Sequence, residues 1–88
     1  MAYDYKTERP RLFTEDGSVL FMRVRDNAKR LLSDAGAFQA EKTFRGVSGD
    51  SWTMLAALDR LVELGELVEI TDPARVWGQH RVFVEVAQ

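Results

Sequence analysis

Residues 48–67, near the middle of the chain, constrain its fold more than any other stretch. Met54, Leu58, Leu61 and Val62 recur there at spacings of four, three and one, and Leu55 and Leu64 widen the stripe. This is the period of a helix with one buried face. Ala56 and Ala57 add helix propensity without bulk. Asp50 is placed to cap the first turn, with Ser48 and Ser51 as alternatives. Gly65 supplies the left-handed position that commonly ends a helix. The opposite face carries Trp52, Thr53, Ala56, Asp59, Arg60 and Glu63 and is expected outside. Asp59 and Glu63 lie one turn apart with the same sign, which costs roughly a few tenths of a kcal/mol.

The flanking segments fit around this helix. Thr14 can cap an earlier one, with Glu15 and Asp16 in the first turn, where the helix dipole favours negative charge. Leu20, Val24, Ala28, Leu31 and Ala35 form its apolar stripe, widened by Phe21 and Leu32. Arg23, Arg25, Asp26, Lys29 and Arg30 fall largely on its other side, Asp26 and Arg30 in the favourable order for a pair. Gly36 ends it. The pair Ala37 and Phe38 is too short to classify alone. Residues 39–44 suit a short helix, with Ala40 and Phe44 inward. A turn with Gly46 and Gly49 follows.

After Gly65, residues 67–71 read as a strand, and residues 80–86 alternate cleanly. Val82, Val84 and Val86 share one face of the second strand, and Arg81, Phe83 and Glu85 the other. The loop between the strands makes a long hairpin. Ahead of all this, residues 1–13 mix Tyr3, Tyr5, Lys6, Arg9 and Arg11 with Pro10, which discourages regular structure. They are expected to form an N-terminal arm, with one domain spanning 14–88. Two readings of the arm stand: a tail whose aromatics pack on the domain, or a basic arm that touches a nucleic-acid backbone or minor groove.

Composition narrows the function classes. At 88 residues one domain is expected, and 45% hydrophobic residues allow a modest core. Cysteine is absent, so neither disulfides nor a thiolate metal site can brace the fold. The single His80 has no second histidine beside it, so no metal and no cofactor are expected. No Gly-rich phosphate loop, nucleophile elbow or Ser/His/Asp arrangement occurs, which argues against an enzyme. No apolar run is long enough for a membrane span and no signal peptide is visible, so a cytoplasmic location and no membrane partner are expected. The formal net charge is −2, with nine Lys/Arg against seven Asp/Glu up to Arg45 and three against seven beyond it.

The order of helix, strand-like link, short helix, turn, longer helix and hairpin resembles the winged helix-turn-helix superfamily over residues 14–86. Its most specific parts are residues 31–41, where a helix closes on Gly36 and Ala40-Glu41 opens the next, and residues 58–67, where Leu58, Leu61, Gly65 and Leu67 repeat a rhythm common in bacterial regulators. The resemblance implies an α+β fold with a three-helix core and a C-terminal β-hairpin wing. It also implies a small, non-enzymatic DNA-binding accessory protein or transcriptional regulator, of the stand-alone kind found on phages and other mobile elements.

In that family the third helix enters the major groove of double-stranded DNA. Carried over, the reading positions are Ser51, Trp52, Leu55 and Ala56, with Thr53 nearby. None is an Arg, Lys, Asn or Gln, the side chains that make bidentate base contacts. The helix region from Asp50 to Glu66 holds four acids and one base. The expected nucleic-acid surface therefore extends to Arg45 and to the wing residues Arg75, Trp77 and Arg81. Trp77 has a second reading, as a residue folded back into the hairpin core. The rival function is a protein-interaction or homodimerisation module that binds no DNA and docks through Trp52 and Leu55.

Overall fold

The computed structural model describes residues 2–87. The chain is α+β, three α-helices against a small antiparallel sheet. In order the elements are α1 (Tyr5–Glu8), α2 (Glu15–Ala35), β1 (Ala37–Gln39), α3 (Ser51–Glu63), β2 (Leu67–Glu69) and β3 (Val82–Glu85), with 3₁₀ turns at Arg9–Phe13, Ala40–Phe44 and Gly78–His80.

The segment expected as an irregular arm is helical, and its tyrosines pack on the domain, as the first of the two readings had it. Pro10 falls at the start of the 3₁₀ turn, where its missing N–H costs little. Leu12 and Glu8 are buried. The Thr14 hydroxyl accepts from Gly17 N–H at 3.0 Å and donates to the Arg11 carbonyl at 2.8 Å, joining this segment to α2. α2 buries Leu20, Val24 and Ala28 and closes on Gly36, at φ 77°. Ala35 lies outside, beyond the edge of the core. Arg30 does not reach Asp26; it donates to Asn27 Oδ1 at 3.0 Å. The short helix after β1 is a 3₁₀ turn that buries Ala40 and Thr43, with Phe44 half-buried.

α3 is the centre of the molecule and is buried on more than one face. Met54, Leu55, Ala57, Leu58 and Leu61 join the core, but so do Thr53 and Ala56, which the helical period had placed outside. Val62 and Leu64, counted with the inner stripe, are exposed. Two segments account for the added burial. Residues 2–13 lie along the second face of α3 and the loop 70–81 closes over its first turns. Asp50 does not cap the helix with its carboxylate, which accepts from Arg11 Nη1 at 3.2 Å; its carbonyl takes the Met54 N–H.

The sheet order is β1-β3-β2, all antiparallel. Phe38 pairs with Phe83, and their rings stack at 5.6 Å over the helices. Phe83 is fully buried. The inward face of β3 is therefore the one with Arg81 and Phe83, and its valines point away from the helices. Each strand is shorter than its alternation suggested. Ile70 N–H still donates to the Val82 carbonyl, and Val82 N–H to Thr71 Oγ1, so pairing persists past β2. Among the described residues no helix is long and apolar enough to cross a membrane.

Candidate functional site

Because Phe83 enters the core, strand parity carries Arg81 in with it. Arg81 is 5% exposed. Its Nη2 donates to Asp59 Oδ1 at 2.6 Å and to Glu69 Oε1 at 2.7 Å, and Nε reaches Glu69 Oε2 at 3.0 Å. Burial opposes its charge, but the bonds to Glu69 and Asp59 more than reverse this, so its pKa lies above the ordinary arginine value. The Tyr3 hydroxyl donates to Asp59 Oδ2 at 2.6 Å. Burial, then that bond, pushes the phenol up. Arg81 is thus bound internally and is not free for a phosphate, which corrects its place among the nucleic-acid contacts.

The basic arm is used in the same way. Arg9 Nε and the Tyr5 hydroxyl both donate to Glu63 Oε1 at 3.0 Å, and Arg60 Nη1 to the same atom at 2.6 Å. The bond from Arg60 first, then that from Arg9, holds the Glu63 carboxyl at about 2. Arg11 pairs with Glu8 and Asp50. The arm's arginines are thus paired with Glu8, Asp50 and Glu63 of the same chain.

The residues proposed to read a groove are mostly covered. Ala56 is 0% exposed, and Thr53 and Leu55 are buried. A Cβ at Gly78 would lie 2.7 Å from Leu55 Cδ1, so the loop backbone is seated on that leucine. Leu55 cannot anchor a partner in this conformation, a correction to the interface reading as well. Trp52 is half-buried, edge-on to Tyr3 with ring centroids 6.4 Å apart. Ser51 and Arg45 remain exposed. Arg75 reaches Asp72 at 3.4 Å from a side chain 84% exposed.

Trp77 does not fold back into the hairpin. It is 77% exposed. The loop that presents it is held by Asp72, whose Oδ1 accepts from Ala74 N–H at 2.9 Å and whose carbonyl accepts from Arg75 N–H, and by the 3₁₀ turn after it. Trp77 borders a cleft of about 900 Å³ between the N-terminal segment, the start of α3 and the loop; Tyr3, Trp52, Leu55 and Val76 also line it. Ser51, Trp52, Trp77 and Arg81 meet around this cleft, and Arg45 and Arg75 are not among its lining residues. Tyr3, Asp59 and Glu69 were missed by reading the sequence. A signal existed: an arginine two residues from a core phenylalanine on one strand needs carboxylates to go in with it.

Among the described residues no group of three His, Cys, Asp or Glu side chains is placed to hold a metal ion. No family model, curated protein or solved structure matches the chain.

Proposed function

We propose that this chain is a small, non-enzymatic protein-contact module on a winged-helix-type scaffold, engaging its partner through Trp77 and the aromatic cleft beside it. One observation carries this reading: a tryptophan 77% exposed on a pinned loop, bordering a cleft lined by Tyr3, Trp52 and Val76. A large apolar side chain exposed to water gains by burial on docking, and tryptophan is among the residue types most enriched at interface anchors. The covered face of α3 weighs against the groove-reading mode. The test is affinity capture with the immobilised chain, wild type beside Trp77→Ala, with nuclease present. A protein retained by the wild type and lost by the variant supports the reading. Equal capture by both, or capture that vanishes with nuclease, removes it.

A second reading keeps nucleic acid as the partner but moves the contact. Arg23, Arg30, Lys42 and Arg45 make no ion pair among the described residues. Asn27, between the two α2 arginines, bonds the Thr43 and Arg45 carbonyls, so these cations flank one junction. Asp26 and Asp34 on the same helix offset part of that charge, which ranks this reading second. It predicts duplex binding whose salt slope falls by about one on Arg45→Ala.

A further inference from the structure

The charge around the Trp77 cleft restricts what the cleft can hold. The charged residues that line it are Asp4, Asp59 and Arg81. Arg81 is buried and committed to Asp59 and Glu69, so that network sets one cation against two carboxylates. Asp4 is exposed; it accepts from the Thr7 hydroxyl at 2.7 Å and forms no ion pair among the described residues. Asp4, Asp59 and Glu69 against Arg81 leave two negative charges in excess. Arg75, on the same loop, pairs with Asp72 and does not line the cleft.

The walls suit the same occupant. The Tyr3 and Trp52 rings meet at 71°, so they make a corner and not a closed stack. Trp77 borders the cleft and stacks on neither. Aromatic faces attract cations, tryptophan most strongly, and the cation is more often arginine than lysine. A guanidinium is flat enough to stack and keeps donors over for a carboxylate. The chain uses this combination itself: Arg9 and Arg60 lie over the Phe13 ring at 5.1 and 5.4 Å and share Glu63. Other ligand classes fit worse. An acidic one meets the excess negative charge, and an aliphatic one would desolvate Asp4 with nothing in return. A cleft of about 900 Å³ encloses a ligand of drug size, which in a protein is one long side chain with backbone on either side.

We propose that this cleft receives an arginine side chain from a short segment of a partner protein, its guanidinium stacked between Trp77 and the Trp52–Tyr3 corner and bonded to Asp4. This rests on the reading of the cleft as the protein-contact site and adds the chemistry of the residue it takes. The chain has two tryptophans and both line the cleft, so the two indole N–H signals of the ¹⁵N-labelled full chain report on it. The probes are acetyl-Gly-Xaa-Gly amides with arginine, its uncharged analogue citrulline, or glutamate at the centre. The arginine peptide should shift both indole signals saturably and bind at least about fivefold more tightly than the citrulline peptide, with the glutamate peptide weakest. Asp4→Asn keeps an acceptor for the Thr7 hydroxyl; it should weaken arginine binding by about threefold or more and leave citrulline binding unchanged. Citrulline or glutamate binding as tightly as arginine would overturn the proposal. So would no saturable indole shift with the arginine peptide up to roughly 10 mM, or a Trp52 shift with the same midpoint in Trp77→Ala. Capture of a partner through Trp77 beside a failed peptide series would sink the arginine assignment alone, whereas capture unaffected by Trp77→Ala would sink the contact reading beneath it.

Discussion

Replacing Arg81 by methionine tests the interior of this fold most directly. The guanidinium is gripped on two sides: Asp59 at 2.6 and 3.2 Å, Glu69 at 2.7 and 3.0 Å. Methionine keeps much of the apolar stem but strands two carboxylates whose side chains are only 18% and 12% exposed. Removing one partner of a buried ion pair costs about 3–5 kcal/mol, and two stranded acids place this case at the upper end. At 0.05–0.15 kcal/mol per residue, a chain of this length has roughly 4–13 kcal/mol in total. The variant should therefore lose a third or more of it, with a melting point lower by roughly 15–35 °C. Urea melts followed by helical circular dichroism at neutral pH give the number. The decisive companion is Arg81→Met/Asp59→Leu/Glu69→Leu, which removes every charge of the network. Apolar replacement of a whole buried ion network is close to neutral or stabilising, so the triple variant should recover most of the loss, a large departure from additivity. A single variant within about 1 kcal/mol of wild type would mean that water already screens the network. A triple variant no better than the single would show that lost packing, not stranded charge, sets the cost.

Two further outcomes follow from local geometry. Gly17→Ala should destabilise, although alanine normally gains about 1 kcal/mol over glycine inside a helix. A Cβ there would sit 1.7 Å from the Arg11 carbonyl oxygen, a backbone atom that cannot rotate away, so thermal melts should show a net loss of about 1–3 kcal/mol; any gain would mean that the junction before α2 is loose. Glu63 has its carboxyl lowered from 4.5 to about 2, so its contribution to stability is complete above pH 4.5 and disappears as pH falls through 2. Glu63→Gln should flatten the acid limb of the stability–pH curve in that window at low salt, the difference shrinking as salt is added because the site is exposed; identical limbs at low salt would show that the bonds from Arg60, Arg9 and Tyr5 do not hold in solution.

The helices were legible because each carries its own punctuation. Thr14 caps α2 and Gly36 closes it; α3 runs from just after Asp50 to just before Gly65. These signals are local and need no knowledge of what the helix packs on. The strand pair after Gly65 was legible for the same reason, from alternation. What alternation cannot supply is the sign of the face. Val82, Val84 and Val86 look like the side to bury, yet Phe83 outweighs them, because one stacked aromatic on Phe38 fills the space over the helices. Arg81 follows by parity, and only the carboxylates of Asp59 and Glu69, 22 and 12 residues away in sequence, make that tolerable. The candidate site suffered most from this. Ala56, Thr53, Leu55 and Arg81 were chosen on the premise that one side of α3 and the hairpin was free, and pairings across the whole chain remove it.

The covering of α3 has a geometric logic that the charges alone did not reveal. Tyr3 bonds Asp59 and Tyr5 bonds Glu63. Two residues of near-extended chain advance roughly 6.6 Å, and four residues of helix advance roughly 6 Å. The two repeats therefore match, and each tyrosine meets an acid one turn further along α3. Arg9 then adds to the same Glu63, and Arg11 reaches back to Asp50 at the helix start. The like-charged pair Asp59 and Glu63, unfavourable on an isolated helix, becomes the docking rail for the N-terminal segment. Acids that would repel a phosphate backbone are the ones that hold the cover in place. For α3 to enter a groove, these bonds would have to be given up beside a phosphate backbone that repels both acids. The same acids make α3 a good seat for residues 2–13, so the exposed aromatic surface lies elsewhere, on the loop at Trp77.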